Sequence, residues 1–202
     1  GLHVAAELPA GEIALRAGAD HAAVDRFEIR IAGKGCHAAH PDAGRDPITV
    51  AANLHIALQT IVSRSVDPVQ CAVVSVTRIA SGTTWNVIPG EATLEGTVRT
   101  FDPAVRALVR ARMEKICEGV GAAFEAGVAL DWREGCPATS HDAALVAFAS
   151  GTARGLGLTV HEAPRSMGGE DFSIYEQTIP GAFILYGVAS PQPLHNPGFA
   201  AD

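Results

Sequence analysis

Between residues 27 and 31 the chain alternates Phe, Glu, Ile, Arg, Ile, the period of two expected of a half-buried strand. The period then lengthens. Asp46-Pro47 is a helix start, with Asp as cap and Pro at the first helical position. Val50, Leu54, Leu58, Ile61 and Val62 follow at helical spacing to about Val66, where Asp67-Pro68 ends the run. Residues 69–79 are β-branched and predict a strand, and residues 80–90, with Gly82, Asn86 and Pro89, predict a loop. Ala92, Leu94, Gly96 and Val98 alternate again. Asp102-Pro103 repeats the helix start, and Val105, Val109, Met113, Ile116, Val120 and Phe124 recur every three or four residues. Val128, Leu130 and Trp132 share one face of a last strand over 127–132. The order strand–helix–strand–strand–helix–strand predicts a ferredoxin-like α+β unit over residues 25–134: a four-stranded antiparallel sheet with two helices on one face.

The flanks predict different material. Residues 1–24 hold a short strand at Leu2–Ala5 and another around Glu12–Arg16. After Pro137, Ser140-His141-Asp142 caps a helix through Leu145, Val146 and Phe148 that ends near Gly155-Leu156-Gly157. A strand at 158–161, a Gly-Gly-Glu-Asp turn at 168–171, a short helix to Gln177 and a buried strand over 182–187 complete the chain. Neither flank builds a domain alone. The expected fold is α/β, with segments 1–24 and 135–202 forming parts of one domain and the unit 25–134 inserted between them.

Composition narrows the function. With 48% hydrophobic and 18% charged residues in 202, the chain is a folding sequence. Its net charge of −7, without a run of Lys or Arg, argues against nucleic acid or an anionic membrane as partner. Aromatics at 5% give no base-stacking platform. No apolar stretch reaches the length of a membrane span, and no signal-peptide pattern is visible. The four cysteines, Cys36, Cys71, Cys117 and Cys136, are scattered without metal or disulfide spacing, which fits a reducing cytoplasm. The chain opens on Gly1-Leu2-His3 without an initiator Met, the opening expected of a piece of something longer.

Eight histidines are many for this length. His21, His55 and His161 read as surface residues and His141 as a helix-start residue. His37 and His40, in Gly35-Cys-His-Ala-Ala-His-Pro41, form an HxxH pair. Pro41 and the nearby glycines favour a loop that aims one imidazole at a ligand over a helical metal pair. His195 follows the last strand, where α/β proteins gather functional groups, and His3 lies in the first strand. Gly168-Gly169-Glu170-Asp171 lacks phosphate-loop spacing. It reads either as a helix cap or as a place where a ligand nears the backbone. Arg99 suits a bidentate grip on a carboxylate, and Asn86 lies in the loop of a β-rich region; taken singly, each is more often a turn or surface residue. No GxSxG elbow is present.

Taken in order, Gly1-Leu-His-Val, Gly33-Lys-Gly-Cys-His-Ala-Ala-His-Pro with Asp46-Pro-Ile, Asn86-Val-Ile-Pro, Gly96-Thr-Val-Arg-Thr, Met167-Gly-Gly-Glu-Asp-Phe172 and Leu194-His-Asn-Pro resemble the M20 metallopeptidase/amidohydrolase family, in the branch of hippurate and indole-acetyl-amino-acid hydrolases. The resemblance runs along essentially the whole chain. It implies a zinc-peptidase-like catalytic domain interrupted by a ferredoxin-like lid that forms homodimers. It further implies hydrolysis of the amide of small N-acyl amino acids or peptide-like substrates.

On that resemblance His3 and His195 match metal ligands. His37 matches the lid histidine that reaches the partner's active site and polarises the scissile carbonyl. Asn86 and Arg99 match positions binding the substrate's polar end, and Gly168, Gly169 and Glu170 match a pocket-lining segment. Two divalent ions (Zn²⁺, Mn²⁺ or Co²⁺) would activate a water, with a nearby carboxylate as general base. The family's Cys/His ligand pair, its acidic ligand and its Glu-Glu pair have no match here; Glu7 and Glu12 stand in other contexts. The expectation is therefore a fragment of a metallo-amidohydrolase that alone binds no metal tightly and is inactive. The alternative is a dimerisation or ligand-binding module without chemistry. Replacement of the missing ligands by His40 or Asp42 is disfavoured, because both fall on the lid.

Overall fold

The computed structural model describes residues 1–201. The chain divides into two compact units: Gly1–Ala22 with the chain from Cys136 onward, and Ala23–Gly135.

The first unit opens with β1 (Leu2–Ala5), β2 (Glu12–Leu15) and the two-residue β3 (Gly18–Ala19). The second unit carries β4 (Ala23–Ala32), β5 (Cys36–His37), α1 (Pro47–Arg64), β6 (Ala72–Ser81), β7 (Val87–Ile88), β8 (Glu91–Thr100), α2 (Pro103–Ala123) and β9 (Gly127–Glu134). The first unit resumes with β10 (Ser140–His141), α3 (Ala143–Gly155), β11 (Thr159–Glu162), α4 (Ser173–Glu176) and β12 (Ile184–Gly187).

In the second unit β6, β8, β4 and β9 lie side by side in that order, every pairing antiparallel. Alternation along β4 buries Phe27, Ile29 and Ile31 and turns Arg26, Glu28 and Arg30 to the other face. Ala92, Leu94, Gly96, Val98 and Thr100 do the same from β8. Against this face α1 packs Val50, Leu54, Leu58 and Ile61, and α2 packs Val105, Val109, Met113 and Cys117, the rows that helical spacing predicts. Both helices begin at the Asp-Pro pairs: the Asp46 carboxylate accepts from the Ile48 N–H at 2.9 Å and Asp102 from the Ala104 N–H at 2.7 Å. A bulge between Val76 and Arg78 adds one residue to β6 and brings Arg78 opposite Glu95.

The first unit has a four-stranded mixed sheet ordered β1, β12, β2, β11. Strands β1 and β12 are parallel, β12 and β2 antiparallel, β2 and β11 parallel. Ile13 and Leu15 pack with Val146 and Ala153 of α3. Asp142 caps α3 by accepting from the Leu145 N–H at 2.9 Å, and Gly157 (φ 86°) leaves the helix in the left-handed region. A second ladder pairs β10 with β3. The last strand is shorter than the run 182–187 and only half-buried. Among the described residues no helix is long and apolar enough to cross a membrane.

Candidate functional site

In the second unit the two segments read as loops are joined. Cys36 pairs with Ile88 and His37 with Val87, and the Ala38 N–H donates to the Asn86 carbonyl at 3.1 Å. His37 and Asn86 are therefore carried by one piece of structure. The Ala39 N–H donates to His37 Nδ1 at 3.0 Å, so the neutral ring keeps its proton on Nε2, and the His40 ring lies 5.8 Å away.

Arg99 is elsewhere. It sits on the sheet face away from the helices, opposite Val24 and Val73. The loop of His37 is anchored at the other end of β8, where the Gly33 N–H donates to the Gly90 carbonyl. Nine residue steps lead from Gly90 to Arg99, about 30 Å at ~3.3 Å per step. On the same face Arg26 and Arg78 bond Glu95, Arg30 bonds Glu28 and Arg133 bonds Asp131. Arg99 alone of these five has no side-chain hydrogen bond or ion pair among the described residues. Hydrogen bonding from Arg78 first, with Arg26 adding, holds the Glu95 carboxyl below the usual carboxylate range.

In the first unit His3 is exposed on β1. Its Nδ1 lies 2.8 Å from the Val4 carbonyl, which can only accept, so Nδ1 carries the proton and the Nε2 lone pair is left for another partner. That is the state a metal-binding imidazole needs. His195 is exposed at the end of the chain with φ 64°, an uncommon conformation for a residue other than glycine. Among the described residues no three His, Cys, Asp or Glu side chains converge on a position that could hold a metal.

The turn 168–170 is tied at both ends. The Gly168 carbonyl accepts from the Ala22 N–H at 3.0 Å, and Glu170 Oε1 accepts from the Phe172 N–H at 3.1 Å. The Ser173 hydroxyl donates to the Glu170 carbonyl at 2.7 Å. Glu170 thus bonds the N–H of Phe172, the residue before α4, and among the described residues no side chain caps the helix's own first N–H groups.

Sequence reasoning missed a polar cluster in this unit. His21 is not a surface residue: its Nδ1 lies 3.0 Å from Oδ2 of the buried Asp20. Hydrogen bonding to Asp20 raises the His21 pKa; burial opposes this, and the charges of Asp20 and Glu170 add to it. His141 does not begin a helix but lies buried on β10, with Nδ1 3.0 Å from the Arg16 carbonyl and Nε2 3.8 Å from Glu176 Oε1. The only local signal was the Asp-His dipeptide itself. Its partners lie more than a hundred residues away in sequence.

A peptidase dimerisation domain of the M20 type matches residues 21–125. An N-acetylcysteine deacetylase of Bacillus subtilis is 42% identical over all 202 residues, which cover 53% of that protein. An N-acetyldiaminopimelate deacetylase of Enterococcus faecalis is 39% identical over 98% of this chain and 53% of its own length. The crystal structure of a dinuclear metal-binding M20 peptidase from Bacillus subtilis superposes with a TM-score of 0.83 at 38% identity, over 100% of this chain and 51% of that one. The chain spans about half the length of the curated relatives it matches. Through residues 21–125 the chain belongs to the M20 peptidase dimerisation-domain family.

Proposed function

We propose that these residues are the lid and the C-terminal catalytic segment of a metal-dependent amidohydrolase that cleaves N-acyl amino acids and acts as a homodimer. The observation that carries this reading is that the two best-matched histidines are held in opposite tautomers. His3 donates through Nδ1 and keeps a lone pair on Nε2, as a metal ligand must. His37 accepts through Nδ1 and keeps a proton on Nε2, as a group that polarises a carbonyl must. In the proposal His3 and His195 are two ligands of a centre for divalent ions, completed by donors outside this segment. The similarity to deacetylases of N-acyl amino acids supports the substrate class. The four free thiols fit a reducing compartment.

His37 and Asn86 lie at one end of the lid sheet and Arg99 at the other, so within one copy they cannot hold the same small ligand. Two copies resolve this: His37 and Asn86 of one reach the amide, while Arg99 of the other grips the substrate carboxylate. Mixing His37→Ala and Arg99→Ala variants of the longer protein tests the arrangement. Each homodimer should be impaired. Random re-pairing should restore about a quarter of wild-type activity, because half the dimers then contain one intact site. No recovery on mixing would show that the residues act within one copy and overturn the shared-site reading.

A further inference from the structure

Asp20 and His21 form a pair that the function above leaves unused. Asp20 is 1% exposed, and its Oδ2 accepts from His21 Nδ1. With Nδ1 committed, the ring's remaining hydrogen-bonding capacity is at Nε2, and no residue among those described bonds to it. The adjoining ring corner, Cδ2, lies 3.8 Å from where a Cβ on Gly168 would stand. Main-chain bonds hold it there. The Ser166 N–H donates to the Asp20 carbonyl at 2.9 Å, and the Ala22 N–H donates to both the Ser166 and Gly168 carbonyls at 3.0 Å. Phe183 meets the His21 ring edge-on, with centroids 6.0 Å apart. An imidazole oriented by a buried carboxylate, with its other nitrogen open beside a turn, is built to meet a ligand.

In the charged ring, the form that Asp20 favours, Nε2 carries a hydrogen and seeks an acceptor. The carboxylates of Asp20 and Glu170 already face that charge, so a neutral carbonyl suits the position better than a further anion.

We propose that His21, oriented by Asp20, is a further ligand-binding residue of the Gly168–Glu170 wall, donating from Nε2 to the acyl oxygen of a bound N-acyl compound. It rests on the reading of 168–170 as a pocket wall. An acyl oxygen is present both on the amide and on the carboxylic acid released from it, and the neighbouring carboxylates favour the amide.

The 202-residue chain, labelled with ¹⁵N, is titrated with N-acetylglycinamide or with acetate while the His21 Nε2 signal and the Gly168 and Gly169 amide signals are followed by NMR. The amide should shift all three signals, and acetate should do so at higher concentration or not at all. A stronger response to acetate supports the contact and assigns it to the released acid. In Asp20→Asn, which keeps the ring, and in His21→Leu, the apparent Kd for N-acetylglycinamide should rise about tenfold. Glycine shifts without a His21 shift overturn the His21 assignment and leave the wall reading standing. No shift at any of the three overturns both. The readout does not depend on hydrolysis, so a longer protein that failed to cleave N-acyl amino acids would remove the proposed function and not this contact.

Discussion

At Gly96 the missing side chain is a structural requirement. A Cβ there would stand 2.1 Å from the Ser75 carbonyl oxygen and 2.3 Å from the tip of the Phe27 ring, so the glycine is the socket that lets Phe27 lie flat in the core. Gly96→Ala should destabilise the second unit by about 1–3 kcal/mol in urea unfolding. Cys117 makes a second residue-scale prediction. Burial, with Glu114 and Glu118 nearby, pushes its thiol up to about 11, whereas Cys71 is exposed. An aromatic disulfide reagent at pH 8 should modify Cys71 rapidly and Cys117 only after unfolding. For His21 the folded pKa lies above its ordinary value of about 6.5. Its contribution is therefore complete below that value and declines as pH rises through the raised one. The wild type should lose more thermal stability than His21→Gln between pH 6 and pH 9, as read by Tm.

Among the elements, those with a period were legible and those without were not. The Asp-Pro starts and the apolar rows of α1 and α2 mark two helices that form where the pattern puts them. The alternation in β4 and β8 likewise identifies the face that is buried. The ladder of β5 and β7 left no trace, because two residues a side are too few to show a period, and its partners are some fifty positions apart. His141 was misread because Asp142 alone supplies the cap and frees the preceding residue to pair with Gly18. The candidate site residues could be named from the family resemblance. Their states could not: the tautomers of His3 and His37 depend on backbone groups one and two residues away, whose orientation no spacing encodes. Removing the caps tests the legible part. Asp46→Ala and Asp102→Ala should each cost about 1 kcal/mol in chemical denaturation, adding in the double variant if the helix starts are independent.

At the scale of the whole molecule, the first unit displays much apolar surface. Leu2, Phe148 and Leu156 are each at least 69% exposed, and with Ile13, Ile184 and Tyr186 they line an apolar groove of about 510 Å³. A surface of this kind usually has a partner. The relatives are about twice as long, and the proposed partner is the rest of the catalytic domain. The isolated 202 residues should bind a hydrophobic dye such as ANS strongly, and the longer protein much less; equal binding would assign the groove to something else. Zinc and manganese titrations divide the same two proteins. The short chain should hold no metal ion tightly and the longer one two ions per chain, whereas two tight ions on the short chain would overturn the partial-centre reading.

The short ladder of β5 and β7 bears on when order is acquired. Two loops that were free to move separately would each lose conformational freedom on meeting a ligand, and that loss would weaken binding. Here Cys36 and His37 are locked to Ile88 and Val87 as the chain folds, so His37 and Asn86 would meet the proposed ligand already in fixed relation. The same lock links their fates in variation. A change that loosens residues 82–90 will be felt at His37, and its compensation is to be sought in the segment 33–41, half a domain away in sequence and one hydrogen-bonded pair away in space.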